Sequence, residues 1–222
     1  MERELDRVVS SEITGDLKTL LEKFNHAKYL GAELTKESQE RLVRFALLVE
    51  AWGARIQLTA RPSAKEVMLH RIFDSLHLSM YLPGWSSLSD IGSGAGFPGI
   101  PLACLYPERQ VVLVESRERR HHFLRHVKRE LVLPQVKCVK GRAERLNPEP
   151  TSLVLAQAVA SPDKAQAFCL PWVAKGGWLG IPLSQRQKKP KIGVGQFSQE
   201  HTYLFEAFDG RQRAIWLAQV PR

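Results

Sequence analysis

A glycine-rich turn between a strand-like run and a helix-like run constrains this chain more than any other feature. Ser89-Asp-Ile-Gly-Ser-Gly-Ala-Gly-Phe-Pro-Gly-Ile100 carries glycines at positions 92, 94, 96 and 99. Glycine visits positive φ freely and leaves no Cβ between backbone and ligand. A helix opening at such a turn presents its free amides to whatever sits there. Around the turn the pattern alternates. Strand-like runs at Leu88–Ile91, Gln110–Glu115, Val136–Lys140, Leu153–Gln157 and Trp178–Pro182 are separated by helix-like stretches at Gly99–Leu105, Arg117–Leu131 and Asp163–Val173. This order predicts right-handed βαβ units around a parallel sheet. Thr202–Phe208 and Ala214–Val220, joined at Asp209-Gly210, predict a closing antiparallel hairpin.

Upstream the periodicity is helical. Leu42, Phe45, Ala46, Val49, Trp52 and Ile56 fall on one helical face, as do Leu69, Ile72, Phe73, Leu76 and Met80. The second stripe begins at Ser63-Ala-Lys-Glu66, a capping box, and is bounded by Pro62 and by Pro83-Gly84. An earlier helix is expected over Glu12–Phe24. The expected organisation is therefore a helical extension, residues 1–83, packed on an α/β domain, residues 84–222. That domain is a Rossmann-like, mostly parallel sheet with an antiparallel C-terminal strand pair.

Three ligand readings of the turn compete. A P-loop needs a lysine after its last glycine, and Gly99 is followed by Ile100. Gly94-x-Gly96-x-x-Gly99 fits a dinucleotide fingerprint literally. Asp90-x-Gly92-x-Gly94-x-Gly96 fits the S-adenosylmethionine loop of Rossmann-like methyltransferases. Asp90 favours the third reading, because a carboxylate beside the site repels pyrophosphate and suits a ligand carrying a sulfonium and an ammonium. Glu115 ends the second strand about 20 residues on, where an acid can accept both ribose hydroxyls of either ligand.

The chain has 32 Lys and Arg against 23 Asp and Glu, a formal net charge of +9, which favours a polyanionic partner. Cys104, Cys138 and Cys169 lack Cys-x-x-Cys spacing and are expected to be reduced, buried and without a metal. The acidic start Met1-Glu-Arg-Glu-Leu-Asp6 and the short apolar runs point to a cytoplasmic protein with no membrane partner.

The run from Asp90 to Glu144 resembles the ribosomal RNA small subunit methyltransferase G family, also called glucose-inhibited division protein B. The residues carrying the likeness are Gly92-x-Gly94-x-Gly96-Phe-Pro-Gly-Ile-Pro101, Phe123-Leu124 and Arg142-Ala-Glu144, with His70-Arg-Ile-Phe-Asp-Ser75, Trp52 and Leu58-Thr59 upstream. The resemblance implies a class I methyltransferase that uses S-adenosylmethionine to methylate N7 of one guanosine in 16S rRNA, free or in the 30S subunit; a monomer is expected. It implies a cofactor pocket lined by Gly92, Phe97, Ala143 and Glu144, with Phe97 and the backbone near Ala143 flanking the adenine. Together with the residues read above, the candidate cofactor set is Asp90, Gly92, Gly94, Gly96, Phe97, Glu115, Ala143, Glu144 and Gln157. Gln157 stands where the family has arginine, Gly53 and Gln57 where it has asparagines, and Pro182 where it has lysine.

His70, Asp74 and His77 share a helix face beneath the presumed site, and His70, Asp74 and Ser75 are candidates for substrate contact or for hydrogen bonding between the two parts of the chain. Arg142 and the basic connection Leu183–Gln199, with Arg186, Lys188 and Lys189, are candidates for RNA contact. The basic helix Arg117–Leu131 reads either as a solvated face or as a phosphate track. No Ser-His-Asp or Cys-His set stands out, so no catalytic side chain is named. The alternatives are a methyltransferase diverged to another RNA or a small molecule, a non-catalytic RNA- or ribosome-binding module, and, last, an oxidoreductase.

Overall fold

The computed structural model describes residues 11–26, 30–60, 63–157, 161–183, 187–193, 195–207 and 210–222. Its strands are β1 (Ser87–Ile91), β2 (Gln110–Glu115), β3 (Val136–Lys140), β4 (Thr151–Ala156), β5 (Val173–Leu183), β6 (Gln199–Glu206) and β7 (Gln212–Gln219). They form one seven-stranded sheet in the order β3-β2-β1-β4-β5-β7-β6. Pairing is parallel from β3 to β5; β7 runs antiparallel to β5, and β6 antiparallel to β7. Strand alternation divides the apolar side chains between two layers. Leu88, Leu113, Leu153 and Leu155 feed one cluster, and Ile91, Val114, Val154 and Ala156 the other. With both faces covered, β2 and β4 carry the apolar runs Val111–Val114 and Leu153–Ala156. The connection order reverses between β1 and β4, and in such sheets ligands lie beyond the strand ends at that switch point.

The helices are α1 (Ser11–His26), α2 (Lys36–Ile56), α3 (Ala64–Val67, Met68–Ile72 and Phe73–Leu78 in succession), α4 (Gly99–Leu105), α5 (Glu118–Glu130) and α6 (Pro162–Cys169). Thr35 caps α2 by accepting from the Ser38 amide at 3.2 Å. Ser63 starts α3 by accepting from the Glu66 amide at 3.3 Å. The extension shares its core with the sheet: Leu21, Phe45 and Phe73 lie in the same cluster as Phe123 and Leu124 of α5. Phe24 stacks on Phe73 at 4.2 Å, and the Ser38 hydroxyl donates to the Cys104 carbonyl at 2.7 Å.

Several expectations need correction. The middle of α3, Met68–Ile72, is a π-helical turn rather than regular helix. Met80, assigned to the buried stripe, is 46% exposed because α3 ends at Leu78. The stretch Asp163–Val173 is helical only through Trp172, and Val173 already belongs to β5. Cys138 is half-buried on the outer strand β3, whereas Cys104 and Cys169 are buried. Pro62, Asp209 and the first ten residues lie outside the described residues. Among the described residues no helix is long and apolar enough to cross a membrane.

Candidate functional site

The turn leaves β1 at the switch point. The Gly92 and Ser93 amides donate to the Val114 carbonyl at 2.8 and 3.0 Å, and the Ser93 hydroxyl donates to the Asp90 carbonyl at 2.8 Å. Gly92, Gly94 and Gly96 have φ of 71°, 58° and 93°. The glycines then divide by role. A Cβ on Gly99 would lie 2.7 Å from Asp90 Oδ2 and press on Leu113, so Gly99 permits α4 to approach the sheet. A Cβ on Gly96 would meet Ile100 of α4 at 2.8 Å, Leu124 of α5 at 3.2 Å and Phe45 of α2 at 3.4 Å. At Gly94 the nearest atoms, Arg120 Nη1 and the Gly92 carbonyl oxygen, are both 3.7 Å away. Gly94 is thus left-handed yet uncrowded by protein, as a ligand cradle requires.

Glu115, at the end of β2, reaches this cradle. Its Oε2 accepts from the Gly94 amide at 3.0 Å and its Oε1 from the Arg117 amide at 2.7 Å. Asp90 is placed differently from Glu115. The residue is completely buried beneath the turn, with Oδ2 accepting from the Gly99 amide at 3.0 Å and Oδ1 without a partner. Burial pushes its carboxyl up to about 8, the Gly99 bond opposes this, and the Glu115 charge adds to it. Asp90 is therefore mostly protonated at neutral pH and caps α4. The strand pleat explains the placement, since it turns residue 90 onto the same face as Leu88, under α4. Glu115 is the acid bonded to the cradle.

A cleft of about 820 Å³ opens beside the turn. His70 and Asp74 of α3, Phe97, Gln157, Pro182 and the ends of β6 and β7 line it. His70, within the π-helical turn, places Nε2 3.3 Å from Glu66 Oε2. Asp74 Oδ2 accepts from Arg213 Nε at 3.0 Å and Nη2 at 2.9 Å, tying α3 to β7. Ser75 also borders the cleft but is buried, and its hydroxyl donates to the Arg71 carbonyl at 2.6 Å. His77 is turned inward, edge-on to Phe205 at 5.1 Å, and burial lowers its pKa.

The remaining candidates are dispersed. Phe97 packs on Phe45 at 5.1 Å, while the Ala143 carbonyl accepts from Trp172 Nε1 at 3.4 Å in the opposite layer. Phe97 and Ala143 therefore approach the strand ends from opposite faces of the sheet. Glu144 is exposed, 3.9 Å from an exposed Arg142. Lys188 is exposed, and Lys189 Nζ pairs with Glu200 Oε1 at 2.8 Å. Arg142, Lys188 and Lys189 do not border the cleft; Gln187 does. Arg186 lies outside the described residues. Sequence reasoning missed Arg71, Arg211 and Arg213, which border the cleft together with Gln157. Arg120, noted only as part of a basic helix, donates to the Gln57 carbonyl at 3.3 Å and sits by the Gly94 position. Burial pushes the Cys104 and Cys138 thiols up to about 12 and about 11, and the Cys169 thiol up as well, so none of the three is a ready nucleophile.

Residues 38–191 match the family described as rRNA small subunit methyltransferase G. The chain is 37% identical over 179 residues to the ribosomal RNA small subunit methyltransferase G of Macrococcus caseolyticus, covering 78% of this chain and 75% of that protein. Its identity to the protein of the same name from Staphylococcus epidermidis strain RP62A is 39% over 198 residues, covering 86% and 80%. Among solved structures, a mutant of MtNAS aligns with TM-score 0.55 at 14% identity, over 82% of this chain and 71% of that one. The S-adenosylmethionine-dependent methyltransferase SibL, in its apo form, aligns with TM-score 0.51 at 15% identity, over 62% and 51%. These structural likenesses concern the fold.

Proposed function

We infer that the chain, which belongs to the rRNA small subunit methyltransferase G family, is an S-adenosylmethionine-dependent enzyme that methylates N7 of a guanosine in 16S rRNA. The observation that carries this reading is the uncrowded left-handed turn at Gly94 with the Glu115 carboxylate bonded to its amide, in a loop whose end, at Phe97 and Pro98, borders an open cleft. The residues present fit the cofactor. Glu115 accepts the ribose hydroxyls, Gly92 and Gly94 let the backbone approach the ligand, and Phe97, Ala143 and Glu144 border the nucleoside. When bound, S-adenosylmethionine supplies an electrophilic methyl group.

Guanine N7 presents a lone pair and carries no proton to remove, so the chain needs no general base. Its contribution is placement. The reacting atoms must be held in line about 3–3.5 Å apart, in a site that fits the transition state better than the ground state. The Asp74–Arg213 pair fixes the wall of the cleft opposite Phe97, and Arg71 and Arg211 supply positive charge for the phosphates of the target strand. Arg142, Lys188 and Lys189 extend that charge over the outer surface. The protein acts as a monomer on the 30S subunit in the cytoplasm, and residues 1–83 form a helical extension packed on the methyltransferase domain.

The test is transfer of a tritiated methyl group to 30S subunits that lack the modification, followed by nucleoside analysis. The reading predicts label in 7-methylguanosine. Label in another nucleoside, or cofactor binding with no transfer to rRNA in any form, overturns it.

A further inference from the structure

β6 is an outer strand, and its two faces differ in chemistry. Glu200, Thr202, Leu204 and Glu206 alternate onto one face, where Glu200 accepts from Trp216 Nε1 at 3.0 Å. His201, Tyr203 and Phe205 alternate onto the other, so that face of the strand carries rings and no carboxylate. The rings continue across neighbouring elements. Phe205 stacks on Tyr81 at 4.6 Å, and Tyr81 lies 5.6 Å from Tyr203. Tyr203 lies 6.0 Å from His201 with planes 24° apart, and His201 lies 5.9 Å from Trp178 with planes 28° apart. His201 is exposed and Tyr203 is 38% exposed, whereas Tyr81 and Trp178 are half-buried and Phe205 is buried. The inner end of this file is the cleft itself, because Phe205 borders it together with Arg211 and Arg213.

We propose that the exposed rings of Tyr203 and His201, flanked by the half-buried Tyr81 and Trp178, are a stacking platform for the single-stranded RNA that flanks the target nucleotide, with Phe205 buried behind Tyr81 as its support. The proposal rests on the rRNA reading above and deepens it. Proteins that hold single strands combine rings on which bases stack with cations that meet the backbone. Here the rings run outward from the cleft for about 14 Å along β6, taking about 3.4 Å per residue. The cations stand at the end where the strand would enter. A chain of net charge +9 that turns its strand acids to the opposite face suits a polyanion with planar bases.

The experiment measures anisotropy of a fluorescein-labelled single-stranded RNA oligonucleotide, and of the same sequence as a duplex, with the full chain. Tyr203→Leu should weaken single-strand binding about tenfold, within the range expected for one lost base stack. Tyr203→Phe should bind like the parent, because stacking needs the ring and not the hydroxyl. Leu204→Ala, on the opposite face of the same strand, should also be unchanged. The slope of log affinity against log salt should stay constant in Tyr203→Leu, since no phosphate contact is lost. Affinity for S-adenosylhomocysteine should be the same in all variants.

Parent-like RNA binding by both Tyr203→Leu and His201→Ala overturns the proposal. So does a change in sedimenting mass without a change in RNA affinity, which would make the strip a contact between protein chains. A parent protein that binds single strands through these rings but transfers no methyl group sinks the functional reading and leaves the platform standing. Normal transfer with an unchanged KM for RNA in the ring variants sinks the platform alone.

Discussion

Replacing Asp90 by Asn keeps the outline of the carboxyl group beneath the glycine turn and removes its capacity to ionise. In the folded protein this carboxyl is pushed from its ordinary 3.8 up to about 8, first by burial. Between those values the unfolded chain releases the proton and the folded chain retains it. Wild-type stability therefore falls as pH rises, by about 1.4 kcal/mol per pH unit, with the contribution whole below 3.8 and gone above about 8. By pH 7 the accumulated loss is on the order of 4 kcal/mol, which asparagine escapes. The asparagine side chain still accepts from the Gly99 amide, but it places an amide group where Oδ1 has no partner, at a cost of about 1–3 kcal/mol. The variant should be more stable than wild type at pH 7 by about 1–3 kcal/mol and less stable by a similar amount near pH 4. Urea denaturation followed by circular dichroism across that range reads the crossover directly. Affinity for S-adenosylhomocysteine at pH 7 should change by less than about threefold, since one neutral group replaces another. A stability difference that stays flat with pH would show that Asp90 is ionised in the native state. A loss of affinity of about a hundredfold would show that it acts on the ligand as a charge.

Other perturbations separate packing from binding. Arg213→Met removes two donors from Asp74 Oδ2 and should lower stability by about 1–3 kcal/mol; adding Asp74→Asn should cost less than the sum of the single changes, as thermal denaturation of the four proteins will show. Gly99→Ala should lose more than about 2 kcal/mol, because its Cβ has no room against Asp90 and Leu113. Gly94→Val should lose about 1–3 kcal/mol through its left-handed φ while weakening S-adenosylhomocysteine binding by more than about tenfold in calorimetry. Combined charge reversal at Arg142, Lys188 and Lys189 should lower RNA affinity and reduce the salt slope by about three. An unchanged slope would remove these residues from the RNA surface.

What could be read from the sequence follows the range over which each interaction acts. The bounds of β2, β3 and α4 coincide with the sequence reading, because alternation, helical spacing and the glycine turn are local signals. The parallel order of the sheet follows from the βαβ pattern, and the terminal hairpin from its two β-rich runs. The π-helical turn in α3 leaves no trace in a helical stripe, since adding one residue to a turn shifts the face without changing composition. The Asp74–Arg213 pair joins residues 139 apart, and only the crossing of α3 with β7 brings them together. Asp90 was recognised by its spacing, but the direction of its side chain depends on the strand pleat relative to α4. Helical spacing puts His70, Asp74 and His77 on one face, yet only His70 and Asp74 border the cleft, while His77 is buried against Phe205, downstream of the π-helical turn.

The central claim is that the turn around Gly94, with Glu115 at its amide, holds an adenosyl sulfur nucleoside. Calorimetric titration of the purified chain with S-adenosylhomocysteine, with NAD as the comparison ligand, tests it most directly. The account predicts saturable single-site binding of S-adenosylhomocysteine, weakened by Glu115→Ala, and no uptake of NAD. Binding of NAD with no response to S-adenosylhomocysteine would contradict it.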